Sequence, residues 1–256
     1  MWIVRGLRER ISFDVQRHID NILQALSDYG VYATFFLTGR VAEKHPEIPE
    51  KVCKRDHEVA SHSYAHGNFS GIGYEEARQD FLKSISVLAR YGEVKGFRAP
   101  FLVRNKATYR VCEDVGMDYD SSEYGLVRYR PEGFGVTVIP VVYPLDTHGL
   151  DLMRLEPEKL VAEWMSECGK SVGAAICMHA WRIGRRKYVK TVLEPLLKSD
   201  LSFVRARELL DTNGVALTFD VEYTNFSEAF PHNVALLRSP GWKYPKSLQA
   251  RAFVED

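Results

Sequence analysis

The feature that most constrains this chain is an alternation of short apolar segments with amphipathic segments of helical period. Over residues 15–29, Val15, Ile19, Ile22, Leu23 and Leu26 fall on one helical face. Asp14 is the expected N-cap and Gly30 the expected terminator. Residues 31–37 then read as a buried strand. The alternation continues with a helix over 74–91, a strand at Phe97, a helix over 105–115 and a β-branched strand over 136–142. A helix over 156–168 follows, with Pro157 at its favoured first position, and then a small apolar strand over 173–178. A helical stretch over 188–198 carries the breaker Pro195. A strand over 201–204, a short helix over 205–211 and an apolar strand over 215–219 complete the series.

Strands alternating with helices of this length build βαβ units and a parallel sheet. About seven units predict an α/β fold, a distorted (β/α) barrel of about seven parallel strands, with a doubly wound open sheet as the alternative. No repeat, low-complexity tract or linker divides the chain, so residues 1–256 are expected to form a single domain. The segment after Tyr223 has little periodicity and reads as a long loop laid over the body.

Composition removes several classes. At 45% hydrophobic residues the chain can bury a core, which excludes disorder. Lys plus Arg and Asp plus Glu both total 34, so the basic excess of a nucleic-acid binder is missing. No apolar run approaches the ~18 residues of a membrane span. The start, Met1-Trp2-Ile3-Val4-Arg5, lacks the apolar core of a secretory signal, and a cytoplasmic location is the expectation. Cys53, Cys112, Cys168 and Cys177 form no C-x-x-C pair and read as reduced, mostly buried thiols. A homo-oligomer stays open.

The residues that could do chemistry follow the strands. His62 and His66 stand four apart after the strand-like Val59-Ala60. On one helical turn their rings would share a face and could share a divalent metal, although surface or capping histidines are the commoner reading of such a pair. Asp220 and Glu222 end the last strand, two residues apart and pointing the same way. They read as one metal ligand and one free base, or as an acidic loop. Arg98 could hold a carboxylate in its ionised state. His179, at the end of another strand, suits a general acid, and Asp120 could orient its ring. Asp146 and His148 follow a further strand and are candidates to line a substrate site. Tyr64, Phe101 and Trp181 either stack on sugar rings or pack in the core. Arg182, Arg185, Arg186 and Lys187 form either a solvated loop or a contact for an anionic substrate. The C-terminal ends of barrel strands are where such folds build active sites, and this composition fits metal-assisted hydrolysis.

Five segments resemble the motifs of the polysaccharide deacetylase family, the NodB-homology domain of carbohydrate esterases. Residues 33–39, Ala-Thr-Phe-Phe-Leu-Thr-Gly, are similar to its second strand. Residues 57–66, ending His62-Ser63-Tyr64-Ala65-His66, resemble its metal-binding motif almost residue for residue. Arg98-Ala99-Pro100-Phe101, Tyr119-Asp120-Ser121-Ser122 and Cys177-Met178-His179 resemble the third, fourth and fifth. The family's first motif normally lies near the N-terminus. Here its counterpart, Thr218-Phe219-Asp220-Val221-Glu222, comes last, a few residues after a segment similar to the family's closing helix.

The resemblance therefore implies a circularly permuted domain whose first barrel strand is supplied by about residues 215–222, with the segments 1–13 and 225–256 as two halves of one loop over the active face. A strand-swapped dimer and a fragment of a tandem repeat are the rivals. The resemblance further implies His62, His66 and Glu222 on a divalent metal, most often Zn, and Asp220 as the base, held by Arg98. Phe101 would supply an oxyanion-binding N–H, and His179, oriented by Asp120, would be the acid. It implies removal of an N-acyl group from an amino sugar or polysaccharide. Related readings are an amidohydrolase for a small amide, a cyclic imide or a formylated lipid-linked sugar, and an inactive carbohydrate-binding protein.

Overall fold

A computed structural model describes residues 15–222 of the chain. The expected cap Asp14 and the segments 1–13 and 225–256 lie outside the described residues. Helix α1, Val15–Asp28, buries Val15, Ile19, Ile22, Leu23, Ala25 and Leu26, the face that the spacing predicts. It ends where Gly30 takes φ +65°, a conformation that costs glycine little. The Val31 amide is spent on the Leu26 carbonyl, closing that turn. Strand β1 is therefore shorter than expected, Thr34–Leu37.

The strands β2 (Glu58–Ser61), β3 (Gly96–Phe97), β4 (Tyr119–Asp120), β5 (Thr137–Val138), β6 (Ala174–His179), β7 (Phe203–Val204) and β8 (Val215–Val221) all join β1 in one sheet. Its order is β5-β4-β3-β2-β1-β8-β6, with β7 paired to β8, and every pairing is parallel. The expected strand over 136–142 is split, because Pro140 has no N–H to give to a ladder. Beyond it the chain changes partner. Val141 pairs with Ala175 of β6, Val142 N–H donates to the Ala175 carbonyl at 2.8 Å, and Ala175 N–H donates to Pro140 at 2.8 Å. The sheet thus curls until its far edge meets β6, which is the barrel and not the open sheet.

Strand β8 is the last of the described chain but sits inside the sheet. Thr34 to Leu37 of β1 pair with Thr218 to Val221 on one side. Ala174 to His179 of β6 pair with Val215 to Asp220 on the other. All seven residues of β8 are buried, as an interior parallel strand requires.

Alternation along the strands separates two apolar layers. Phe36, Ala60, Tyr119, Ile139, Ala175 and Ala216 fill one cluster inside the barrel. Phe35, Leu37, Phe97, Ile176 and Phe219 pack outward against helices that include α1 and the helix Tyr74–Leu88. The expected helix over 188–198 is irregular. A wide turn, Val189–Leu193, precedes Glu194–Leu197, which carries Pro195 in its first turn. A proline there supplies no N–H for the preceding turn.

Inside the barrel the Tyr119 ring lies over Gly96, where an added Cβ would sit 2.1 Å from Tyr119 Cζ. The Tyr119 hydroxyl donates to Glu58 Oε1 at 3.0 Å, and Glu58 Oε2 accepts from the Thr34 hydroxyl at 2.7 Å. Gly96→Ala is expected to lose about 1–3 kcal/mol of stability in denaturant unfolding, and an unchanged midpoint would show that this ring can move aside. Near the start of β2, Ala33 N–H donates to His57 Nδ1 at 3.2 Å, and burial, with Arg55 adding, pushes the His57 pKa down to about 4. The unfolded chain then binds a proton that the folded chain refuses. Stability is expected to fall as pH drops from about 6.5 towards 4, and His57→Asn should flatten that slope in unfolding measured across the same pH range.

Candidate active site

The loops at the C-terminal ends of β2, β3, β6 and β8 bring the predicted groups together. The His62–His66 segment is not the helical turn expected from its spacing. It is a loop in which Ser63 and His66 take φ near +65° and +60°. Its backbone is pinned by two outside segments and by one bond within the loop. Gly39 N–H donates to Ser63 O, Tyr64 N–H donates to Asp80 Oδ1 at 2.9 Å, and His66 N–H donates to Ser63 Oγ at 2.9 Å. The outcome resembles what a helix would have given: the His62 and His66 rings lie 5.0 Å apart.

His62 Nδ1 donates to the Arg98 carbonyl at 2.9 Å, which leaves Nε2 with a free lone pair. Burial keeps this ring neutral, with a pKa pushed down to about 4 despite Asp220 and Glu222 nearby. His62 Nε2 faces Glu222 Oε2 at 4.0 Å, and His66 Nε2 contacts the same oxygen. One donor atom from each of the three residues lies within 4.8 Å of the others. Two imidazole nitrogens and one carboxylate oxygen form a set that binds Zn²⁺ and similar divalent ions. The donors present therefore fit a divalent metal.

Beside this set lies a buried ion pair. Arg98 is fully buried, and its Nη1 donates to Asp220 Oδ1 at 2.8 Å and to Thr218 Oγ1 at 2.9 Å. Its Nε and Nη2 donate to Ser121 O and Oγ at 2.9 and 2.8 Å, and its guanidinium lies 4.1 Å from the centre of the Phe36 ring. Burial alone would raise the Asp220 pKa, but Arg98 and then His62 and His179 outweigh it and hold the carboxyl at about 2. Glu222 is held at about 2 in the same way, chiefly by His66.

His179 reaches the same place from β6, with Nε2 at 3.9 Å from Glu222 Oε1. Its partner is not Asp120. Asp120 accepts from Arg104 Nε at 2.8 Å and from the Ser122 hydroxyl at 2.7 Å, so its oxygens are committed elsewhere. Asp146 holds the imidazole instead. Its Oδ1 pairs with His179 Nδ1 at 2.6 Å, and its Oδ2 accepts the His179 backbone N–H at 2.9 Å. Burial would strip the ring of its proton, but Asp146, with Glu222 and Asp220, raises its pKa to about 10. Asp146 carried the same sequence signal as the other groups, an acid after a strand. Its pairing could not be chosen over that of Asp120 without the fold.

The aromatic candidates separate. Trp181 lies 6.0 Å from the His179 ring, with Nε1 at 3.4 Å from Glu222 Oε1. Phe101, at φ +62°, packs its ring edge-on to His66 at 4.7 Å. Tyr64 is engaged differently from the expectation: its ring lies on Gly39, its hydroxyl donates to Glu43 at 2.6 Å, and Lys83 Nζ sits 3.7 Å above it. Burial, and after it the charge of nearby His179, lowers the His148 pKa to about 4. Arg182 pairs with Asp151 and lies 5.0 Å from the Trp181 ring. Cys177, one of the four cysteines that read as reduced, mostly buried thiols, places Sγ at 3.2 Å from Asp220 Oδ2.

Breaking the buried pair from one side is expected to be severe. Arg98→Ala should cost about 3–5 kcal/mol in denaturant unfolding, because Asp220 would be left charged without its partner. A loss below about 1 kcal/mol, the size of an exposed pair, would show that water reaches this site.

Comparison with known proteins agrees with the architecture. A family model described as polysaccharide deacetylase matches residues 11–119. A peptidoglycan-N-acetylglucosamine deacetylase of Bacillus cereus is 36% identical over 69 residues, 27% of this chain and 25% of the relative. A chitooligosaccharide deacetylase of Sinorhizobium fredii is 29% identical over 99 residues, 38% of this chain and 46% of the relative. The matches thus span between a quarter and just under half of these curated relatives. A solved structure from Mycobacterium smegmatis, provisionally named a polysaccharide deacetylase, superposes with a TM-score of 0.65 at 20% identity, covering 95% of this chain and 88% of that one.

Proposed function

We propose that this chain, whose residues 11–119 match the polysaccharide deacetylase family model, is a metal-dependent hydrolase of that family removing N-acyl groups from an amino sugar or saccharide. The observation that carries the reading is the convergence of His62, His66 and Glu222 beside two opposed proton-transfer pairs, Arg98–Asp220 and Asp146–His179. N-acetyl is the acyl group to test first. We also propose that the domain is circularly permuted, with β8 standing where the family's first strand would stand. Its place between β1 and β6 supports this.

His62, His66 and Glu222 would hold the divalent ion, Zn²⁺ first among candidates. Such an ion polarises an amide carbonyl and makes a water acidic enough to attack near neutral pH. Asp220 accepts the proton of the attacking water, because Arg98 keeps its carboxyl ionised. His179 carries a proton at neutral pH and delivers it to the leaving nitrogen, with Asp146 fixing the ring and compensating its charge. The Phe101 N–H is assigned to the carbonyl oxygen as charge develops on it. Trp181 and the Phe101 ring border the space above the ligands. Water is consumed, the C–N bond breaks, and a carboxylate and an amine leave.

The test is acetate release from N-acetylglucosamine oligomers, run beside a small cyclic imide and a metal analysis of the protein. Release from the oligomers supports the reading. Turnover of the imide alone would move the chain to the small-amide hydrolases, and turnover of neither would leave a binding protein. His62→Ala should abolish tight metal binding and turnover together. Asp220→Asn should keep the metal and lower kcat by about 10²- to 10⁴-fold. If Asp220→Asn loses the metal instead, the roles of Asp220 and Glu222 are exchanged. A rearranged chain in which residues 212–256 precede Met1 should fold with the same metal stoichiometry, and failure to fold would count against the permutation.

A further inference from the structure

The mechanism leaves one buried group at the site without a task. Cys177 is 1% exposed, on the inward face of β6 two residues before His179, and its backbone is in register with Thr218 of β8. Its neighbours inside the barrel are apolar, Leu102, Val141 and Leu145. The polar contact recorded for its sulfur is Asp220 Oδ2 at 3.2 Å, opposite the oxygen that Arg98 occupies. Sγ stands within hydrogen-bond reach of Oδ2, with the thiol as donor and the carboxylate oxygen as acceptor.

We propose that Cys177 is a positioning residue for Asp220, a thiol that locks the second carboxylate oxygen in one orientation without competing strongly for its electron pairs. This rests on the reading of Asp220 as the base. Two donors on two oxygens stop the carboxylate from rotating about Cβ–Cγ, and one lone pair on each oxygen stays open to the attacking water. Arg98 binds the carboxylate tightly at its other oxygen, 2.8 Å away. The second donor need only orient it, and S–H is among the weakest protein donors. A stronger donor there would fix the carboxylate equally well but make it a poorer acceptor of the water's proton.

Two substitutions separate donation from packing. Cys177→Ser keeps a donor but suits the apolar pocket less well. Cys177→Val keeps the apolar fit but cannot donate. Donation predicts that Cys177→Ser, a stronger donor that orients Asp220 but weakens it as an acceptor, loses only a few-fold in kcat, and that Cys177→Val loses about 10- to 100-fold with KM unchanged, both variants being folded by circular dichroism. A packing role predicts the reverse order, and that order would overturn the proposal. The infrared S–H stretch gives a readout without turnover. The band lost on Cys177→Ser should lie below those of the other buried thiols and move up in Asp220→Asn, where a neutral amide replaces the carboxylate. A Cys177 band unmoved by Asp220→Asn overturns the hydrogen bond. Full turnover in Asp220→Asn overturns the base reading and with it the role of the thiol. An inert Asp220→Asn together with an active Cys177→Val overturns the thiol's role alone.

Discussion

A guanidinium with no access to water organises this molecule. Arg98 stands at the end of β3 and reaches across the barrel to Asp220 and Thr218 on β8, while two more of its N–H groups are taken up by Ser121 beyond β4. A buried charge of this kind is tolerated only when its hydrogen bonds are met and an opposite charge faces it. The need to satisfy one side chain therefore fixes three strand ends relative to one another. The Arg98 carbonyl extends the arrangement by fixing the tautomer of His62. The metal-ligand candidates and the candidate base are built on the same residue.

Around that centre the protein sets two titratable groups against each other. Asp220 is held at about 2 by Arg98, and His179 is raised to about 10 by Asp146. Both lie in surroundings that, by burial alone, would favour the neutral form of each. The neighbours reverse that preference in both cases. A deprotonated acceptor and a protonated donor thus coexist at neutral pH at the mouth of one barrel. Glu222 stands between them, in contact with His66 and 3.9 Å from His179.

Much of this was legible one residue at a time. A polar or ionisable group directly after an apolar strand marks the rim of a parallel barrel, and Arg98, His179, Asp220, Glu222 and Asp146 all carry that mark. Pairing was less legible. Asp120 and Asp146 have the same local signal, and the curl of the sheet gives one to Arg104 and the other to His179. Tyr64, beside the histidine motif, reads equally as a sugar-stacking ring or a packing one, and the loop turns it towards Gly39 and Glu43. The loop itself was misread as a helical turn. Positive φ values at Ser63 and His66 are tolerated there because the backbone is tied to Asp80 and to the segment after β1, which no local pattern announces.

The sequence by itself determined the class of fold, the strands that carry chemistry and the kinds of side chain at their ends, because hydrophobic period and strand-end position are local properties. It could also raise the prospect that an acidic pair at the end of the chain belongs with histidines near its start. Only the tertiary structure decided that they meet. Strand β8 enters between β1 and β6, and its register sets Asp220 level with Phe36 and His179. Register across a sheet is fixed by pairings between residues far apart along the chain, and those depend on how the whole barrel closes.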